Sequence, residues 1–350
     1  MAITAELWQA NMIALLSAFV AIKMLRPIAV YFGLVDVPDA RKQHQGHIPL
    51  IGGLSNYIGV LVAILTVFPI HDKLFYLLAS ASLVLIAGLV DDLRNLCVWV
   101  RVLIQTLACL IMIKSAGVYV TDLGDLFGLG SVYLGAWGIP LTIIAVIGLV
   151  NAFNMSDGID GLAGSLALIA IVGVFGFESI NGNYRLFDFL LVMGVALVPY
   201  LLTNLTIISN RKIFLGDAGS MFIGFVLAFT LIDLSQTHGS IGSALQPIDV
   251  VWCVAFPVID TLTVIVKRLM SRRSPFSSDR GHFHHLLMDK GMAPQQALLL
   301  IIFASLGLAI FGLLLQLYAP QLSAVAFVAI TLTYMNWVRR NGWDHGKVKA

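Results

Sequence analysis

Residues able to bind a metal ion and a phosphate group are concentrated in five short segments of an otherwise apolar chain. The segments read RKQHQGHIP (41–49), DDLRN (91–95), NAFNMSDGID (151–160), NRKIFLGDAGS (210–220) and DRGHFHH (279–285). They contain carboxylates, amides, histidines and cations, whereas only 11% of all residues are charged. Carboxylate oxygens bind hard divalent cations, and arginine makes forked contacts to phosphate oxygens. This combination predicts a metal-assisted active site for a phosphorylated substrate.

Asp91 and Asp92 directly follow the apolar sequence of a predicted membrane span. Neighbouring residues of a helix point about 100° apart, so we expect the two carboxylates to face different partners. One of them would face a metal or phosphate and the other a cation. The alternative is a water-exposed helix end with Arg94 nearby.

Asn154, Asp157 and Asp160 are spaced three residues apart. If the segment is helical, the amide and the two carboxylates lie broadly on one face and can converge on a ligand. Gly158 and Gly161 allow a close backbone approach or a break in the helix. A turn between two membrane spans, rich in Asn, Asp and Gly, is the alternative interpretation.

Asp217 opens another apolar run within the sequence GDAGS. Capping of the helix amino terminus is its simplest role. With Asn154 it would also suit Mg²⁺, which takes oxygen ligands from one or two carboxylates and leaves positions for substrate phosphates.

The segment from 268 to 296 is the largest predicted cytoplasmic loop and is rich in histidine and arginine. Its motif residues are Arg280, His282, His284 and His285. Structural zinc is disfavoured because no cysteine accompanies them and the H-x-H-H spacing is tight for a tetrahedral site. Contacts to an anionic substrate are expected instead.

Three further candidates precede the Gly52-Gly53 pair, namely Arg41, Lys42 and His44. They could neutralise the anionic head of a lipid at the bilayer surface. Simple anchoring of the chain's orientation is the alternative for these residues.

Composition requires that lipid cover much of this chain. Of its 350 residues 59% are hydrophobic, and the mean hydropathy is +0.92. No basic stripe with interleaved aromatics occurs, so nucleic acid is not expected as a partner. We predict an all-α integral membrane protein, one domain over residues 1–350, with about eleven membrane helices. The predicted spans are roughly 7–25, 51–70, 74–90, 98–115, 139–153, 161–179, 187–205, 218–234, 248–267, 297–316 and 322–338.

The cations orient these spans. Eighteen of the 21 Lys and Arg residues flank or follow odd-numbered spans. By the positive-inside rule, the N-terminus is periplasmic, the C-terminus is cytoplasmic and all five polar segments face the cytoplasm. A transporter would concentrate its charges near the bilayer midplane, often in repeated halves, and neither pattern is seen. The predicted cytoplasmic loops are about 26–50, 91–97, 151–160, 206–217 and 268–296.

Taken in order, the five segments resemble the polyprenyl-phosphate N-acetylhexosamine-1-phosphate transferase family. The resemblance covers the whole chain, from RKQHQGHIPLIGG through GLVDDLRN, NAFNMSDGIDGL and NRKIFLGDAGS to SPFSSDRGHFHHLL. It implies transfer of GlcNAc-1-phosphate from UDP-GlcNAc to undecaprenyl phosphate with release of UMP, the priming step of O-antigen and enterobacterial common antigen synthesis. It also implies Mg²⁺, replaceable by Mn²⁺, a location in the bacterial inner membrane with a cytoplasmic catalytic face, and allows a homodimer.

The resemblance further implies roles for individual residues. Asn154 and Asp217 match the metal-holding pair, and four aspartates match the catalytic carboxylates. The catalytic set is Asp91, Asp92, Asp157 and Asp160, and the substrate-binding set is Arg41, Lys42, His44, Asn210, Arg280, His282, His284 and His285. Another donor, such as UDP-GalNAc or the muropeptide nucleotide, is the alternative. The muropeptide-precursor translocase itself is disfavoured because its corresponding loop lacks the SPF…DRGHFHH arrangement.

Overall fold

The computed structural model describes residues 5–37, 46–181, 187–236, 245–274 and 281–342. Within these ranges the chain is almost entirely helical, because a backbone in lipid has to satisfy its own hydrogen bonds. The helices are α1 Ala5–Phe32, α2 Gly52–Val67, α3 Asp72–Arg94, α4 Val98–Lys114, α5 Gly138–Ser156, α6 Leu162–Asn181, α7 Phe187–Asn204, α8 Gly216–Gln236, α9 Pro247–Cys253, α10 Ala255–Met270, α11 Phe283–Asp289, α12 Pro294–Tyr318 and α13 Ser323–Gly342.

Seven helical segments of the described ranges are long and apolar enough to cross a membrane. They are Ala5–Phe32, Asp72–Arg94, Gly135–Ser156, Leu162–Ser179, Gly216–Gln236, Pro294–Tyr318 and Pro320–Asn341. The bent pair α9 and α10 gives an eighth if it is counted as one span, and α2 and α7 include shorter apolar helices. The expectation of an all-α integral membrane protein is confirmed. Eleven spans and the orientation of the termini stay predictions.

The predicted span 248–267 is wrong as a single straight helix. α9 ends at Cys253, α10 begins at Ala255, and the two helices meet at 90°. Val254 between them has a non-helical backbone, with φ −119° and ψ 23°. Pro257 explains the break, because a proline ring clashes with the carbonyl group four residues earlier, here that of Cys253.

Helix α8 forms the centre of the bundle, and all residues of its apolar window are buried. Glycines let three helices approach its amino-terminal half closely. A Cβ on Gly53 of α2 would overlap the Cα of Gly219, and one on Gly88 of α3 would overlap the Cα of Ala218. A Cβ on Gly224 would lie 2.8 Å from a Cα of α5. The ends of α2, α3 and α5 are therefore held around the start of α8.

A short extended region ties the first polar segment to the fourth. Strand β1 (Val35–Asp36) pairs antiparallel with β2 (Ile48–Pro49). The backbone N–H of Phe214 donates to the Pro49 carbonyl oxygen at 2.9 Å, and that of Gly52 donates to the Phe214 carbonyl oxygen at 2.9 Å. These bonds place the start of α2 beside the start of α8.

Candidate active site

The amino terminus of α8 is capped by a carboxylate from α3. The backbone N–H groups of Asp217 and Ala218 donate to Oδ1 and Oδ2 of Asp92, at 2.8 Å and 3.1 Å. The first N–H groups of a helix have no partner within it, so an acceptor at this position stabilises the helix. The interpretation of Asp217 as the cap of its own helix is wrong. Asp217 is the second residue of α8, and its Oδ1 accepts a hydrogen bond from Asn154 of another helix.

Asp91 faces a different set of partners from Asp92, as the helical spacing predicts. Its Oδ1 accepts the backbone N–H of Leu96 at 2.6 Å, and its Oδ2 pairs with Nη1 of Arg101 at 2.7 Å. The cation is therefore Arg101 of α4. Arg101 also lies 4.0 Å from Oδ2 of Asp217. In the sequence, Arg101 is one of the 18 cations that orient the membrane spans, and no local motif marks its role at the site.

The two residues expected to hold a metal are in direct contact. Nδ2 of Asn154, near the end of α5, donates to Oδ1 of Asp217 at 2.7 Å and to Oγ of Ser220 at 3.0 Å. Their contact places an amide and a carboxylate at the start of α8. Ser220 also belongs to the fourth polar segment.

The helical interpretation of residues 154 to 160 is wrong. Helix α5 ends at Ser156, and Asp157 caps its carboxyl end with φ −82° and ψ 44°. Gly161 then adopts the left-handed backbone, with φ +74°, that favours glycine. The carboxylates nevertheless stay near the other polar segments, because Asp160 forms an ion pair with Lys212.

Negative charge accumulates around Asp157. Burial raises the pKa of the Asp157 carboxyl group well above its ordinary value, and the charges of Asp217, Asp92 and Asp160 raise it further. Each carboxylate in such a cluster disfavours ionisation of the others. A bound cation would offset this repulsion.

The donor set suits Mg²⁺ shared with a substrate better than a metal enclosed by protein. Asn154 and Asp217 offer hard oxygen donors, and the charge excess at Asp157 favours a cation. Within the described ranges, however, no three His, Cys, Asp or Glu side chains are grouped so that they alone could hold a metal ion. Mg²⁺ usually takes one or two carboxylates and completes its shell with water and phosphate oxygens. The residues therefore fit Mg²⁺ in that mode.

The histidine segment reaches the same end of the bundle. His284 is buried against the backbone of Gly158, where a Cβ would overlap Nε2 of its ring. The rings of His284 and His285 lie 4.1 Å apart, and those of His282 and His284 are stacked at 6.2 Å. Burial, and then the charge of His285, lower the pKa of His284 to about 3. His284 is thus a neutral ring packed beside the Asp157 turn.

Of the remaining predicted residues, the structure describes only Asn210. Asn210 is exposed in the connection between α7 and α8. Arg26 of α1 donates to the carbonyl oxygens of Arg211 and Lys212 in the same connection. Arg41, Lys42, His44 and Arg280 lie outside the described residues.

Acidic and amide groups, Arg101 and histidines lie together at one end of a helical membrane bundle, an arrangement suited to binding a cation and a phosphorylated ligand. The model for glycosyl transferase family 4 matches residues 74–235, a range that includes Asp91, Asp92, Asp157, Asp160 and Asp217. The chain belongs to this family.

Curated relatives extend the match over nearly the whole chain. It is 37% identical to the undecaprenyl-phosphate alpha-N-acetylglucosaminyl 1-phosphate transferase of Haemophilus influenzae over 343 residues, 94% of this chain and 96% of the relative. The enzymes of the same name from Yersinia pestis and Escherichia coli K12 are 34% and 33% identical, each covering 91% of this chain and 87% of the relative. The resemblance drawn from the five segments is confirmed at the level of the family.

Proposed function

We propose that this protein transfers GlcNAc-1-phosphate from UDP-GlcNAc to undecaprenyl phosphate, releasing UMP. The name shared by the relatives supports undecaprenyl phosphate as the acceptor and GlcNAc-1-phosphate as the transferred group, and UDP as its carrier is part of our proposal. The observation that carries the proposal in the structure is the contact of Asn154 with Asp217 at the start of α8, beside Asp92. It offers oxygen donors for a cation at the membrane edge, where a lipid phosphate and a soluble nucleotide can meet.

In this reaction the main obstacle is repulsion between the negative charges of the two substrates, and not removal of a proton from the nucleophile. A phosphate monoester has a second pKa of about 6, so the lipid phosphate is already an anionic nucleophile at neutral pH. Its attack on the sugar-linked phosphorus is opposed by the charge of the diphosphate. Asn154 and Asp217 would hold Mg²⁺, which when bound neutralises diphosphate charge and stabilises the leaving UMP.

Positive side chains of the protein add to this compensation. Arg101 is fixed by Asp91 and lies beside Asp217, and Lys212 is fixed by Asp160. Cations held in place by such pairs need little rearrangement when a charged substrate arrives. In this proposal they orient the phosphates of the two substrates.

Direct attack by the lipid phosphate is favoured over a covalent aspartyl intermediate. A carboxylate whose two oxygens both accept hydrogen bonds is a weaker nucleophile, because these bonds stabilise its charge. Both oxygens of Asp92 accept backbone N–H groups of α8, and both oxygens of Asp91 are engaged by Leu96 and Arg101. In our proposal these two aspartates organise the site.

We further propose that the site faces the cytoplasm of a bacterial inner membrane and that the product primes O-antigen or enterobacterial common antigen synthesis. The distribution of Lys and Arg supports this orientation through the positive-inside rule. A homodimer is compatible with this proposal and stays a prediction.

The test is UMP release by detergent-purified protein supplied with undecaprenyl phosphate, Mg²⁺ and UDP-GlcNAc. UDP-GalNAc and the muropeptide nucleotide are supplied in parallel, and samples without lipid or with EDTA serve as controls. Release that needs lipid and metal and occurs with UDP-GlcNAc alone supports the proposal. Release with another nucleotide instead would keep the transferase assignment and replace UDP-GlcNAc by that nucleotide as the donor. No release by folded protein with any donor contradicts the transferase function.

A further inference from the structure

Asp260 is a buried carboxylate of α10 that lies in none of the five polar segments. It is 6% exposed and accepts three hydrogen bonds. These come from Nδ1 of His282 at 2.8 Å, the backbone N–H of Phe283 at 3.2 Å and the hydroxyl of Tyr334 at 2.6 Å. An ionised carboxylate only accepts hydrogen bonds, so the proton in the contact with His282 belongs to Nδ1.

Aromatic contacts attach the same segment to two helices. The ring of Phe283 meets Phe256 of α10 at 5.8 Å and Tyr334 and Trp337 of α13 at 5.6 Å and 5.5 Å, all edge to face. Nζ of Lys290 lies 4.7 Å from the centre of the Trp337 ring. Helix α11 is therefore also held by packing contacts that do not involve Asp260.

The histidines link Asp260 to the acidic turn. The His282 and His284 rings are nearly parallel, at 11°, and His284 packs on Gly158 next to Asp157. Nε2 of His284 is buried with no hydrogen-bond partner among the described residues. A buried nitrogen without a hydrogen-bond partner lowers the stability of the fold unless a ligand or water binds it. His282 is thus separated from the acidic turn by one ring, that of His284.

We propose that Asp260 and Tyr334 are positioning residues for the nucleotide sugar: they hold His282 with its proton on Nδ1 and leave Nε2 as the nitrogen that meets the donor. A carboxylate that engages one nitrogen of histidine fixes both the tautomer and the ring orientation. This inference rests on the proposed function, because it assigns His282 to the donor substrate of that reaction.

The substitution Asp260→Asn tests control of the His282 tautomer with little change in the volume of the buried side chain. The amide oxygen can still accept from Tyr334 and Phe283, but its NH₂ group then faces Nδ1 of His282. Nδ1 has to become an acceptor, which moves the proton to Nε2. We expect the KM for UDP-GlcNAc to rise about tenfold, with the KM for undecaprenyl phosphate changed by less than about twofold. Tyr334→Phe removes one of the three hydrogen bonds and should raise the same KM less.

Each of these two substitutions has a matched control at a site away from the histidines. Asp249→Asn changes a 3% exposed carboxylate of α9 whose contact is the backbone N–H of Gln246. Tyr57→Phe removes a hydroxyl contact to Oγ of Ser82 at 2.7 Å. Neither of these contacts involves the histidines, so neither variant should alter the ratio of the two KM values.

NMR of protein labelled with the heavy nitrogen isotope in histidine reads the tautomer directly, with His282→Gln assigning the signal. We expect an Nδ1–H signal in the wild type and an Nε2–H signal in Asp260→Asn. An unchanged tautomer, or KM values that rise together as in a general loss of structure, overturns the inference. A wild-type protein that releases no UMP from UDP-GlcNAc instead defeats the proposed function, while the tautomer remains measurable.

Discussion

Asp92 and Asp217 are 125 residues apart in sequence and are joined by a hydrogen bond of 2.8 Å from the backbone N–H of Asp217 to Oδ1 of Asp92. The residue proposed to bind a metal is thus fixed by a carboxylate of another helix. A negative group at a helix amino terminus also interacts favourably with the helix dipole. The two acidic motifs therefore form one structural unit, and changing either should disturb the other.

Removal of this cap should weaken both the fold and the activity. We expect Asp92→Ala to lower the free energy of unfolding by about 1 kcal/mol, the usual cost of losing a helix cap. Asp92→Asn keeps one acceptor oxygen and removes a negative charge near Asp217, so it should unfold at a higher temperature than Asp92→Ala. Thermal unfolding in detergent and UMP release measure the two effects.

The matched control is Asp72→Ala, which removes an exposed carboxylate from the first turn of the same helix, α3. It should leave activity unchanged. If Asp92→Ala behaves like this control, the capping contact contributes nothing measurable.

Asp217→Asn tests the metal assignment. The substituted side chain keeps an oxygen that can accept from Nδ2 of Asn154, and the backbone bonds to Asp92 are unaffected, so the fold should persist. The lost charge should raise the Mg²⁺ concentration for half-maximal activity by at least about tenfold, equivalent to about 1.4 kcal/mol. Activity equal to the wild type at limiting Mg²⁺ would exclude Asp217 from the metal's ligands.

The pair of Asp91 and Arg101 lends itself to a double-mutant cycle. Arg101→Gln removes the cation from Asp91, a 4% exposed carboxylate that keeps the backbone N–H of Leu96, and this should cost about 1–3 kcal/mol of stability. Adding Asp91→Asn should restore part of this loss. Strictly additive effects of the two substitutions in chemical unfolding would contradict the coupling.

The sequence predicted the fold class because apolar runs of helix length and polar connections between them are local signals. It also predicted that Asp91 and Asp92 face different partners, since helical spacing alone decides this. It could not predict the role of Arg101, because that depends on where α4 packs. The bend between α9 and α10 could have been predicted from Pro257 in the sequence. The partners of Asp260 could not, because they depend on the packing of α10, α11 and α13.

Close helix packing beside Asp217 gives a further prediction. Gly88 of α3 lies against α8, and a Cβ there would overlap the Cα of Ala218. Gly88→Ala should push α3 away from α8, disturb the Asp92 cap and lower both the unfolding temperature and UMP release. Gly148→Ala in α5 is the control, since no atom lies within 4 Å of the added carbon. Equal behaviour of the two variants would show that this contact is not required.

His284 should make the protein sensitive to acid. Its pKa is about 3 in the folded protein, against 6.5 ordinarily, because the ring is buried and lies near His285. Below pH 6.5 the unfolded chain binds a proton that the folded chain does not, so stability falls as the pH drops from 6.5 towards 3. The unfolding temperature of His284→Gln should therefore drop less than that of the wild type between about pH 7.5 and about pH 5. His47→Gln, at an exposed histidine, is the control and should follow the wild type. Parallel curves for all three proteins would remove His284 as the source of acid sensitivity.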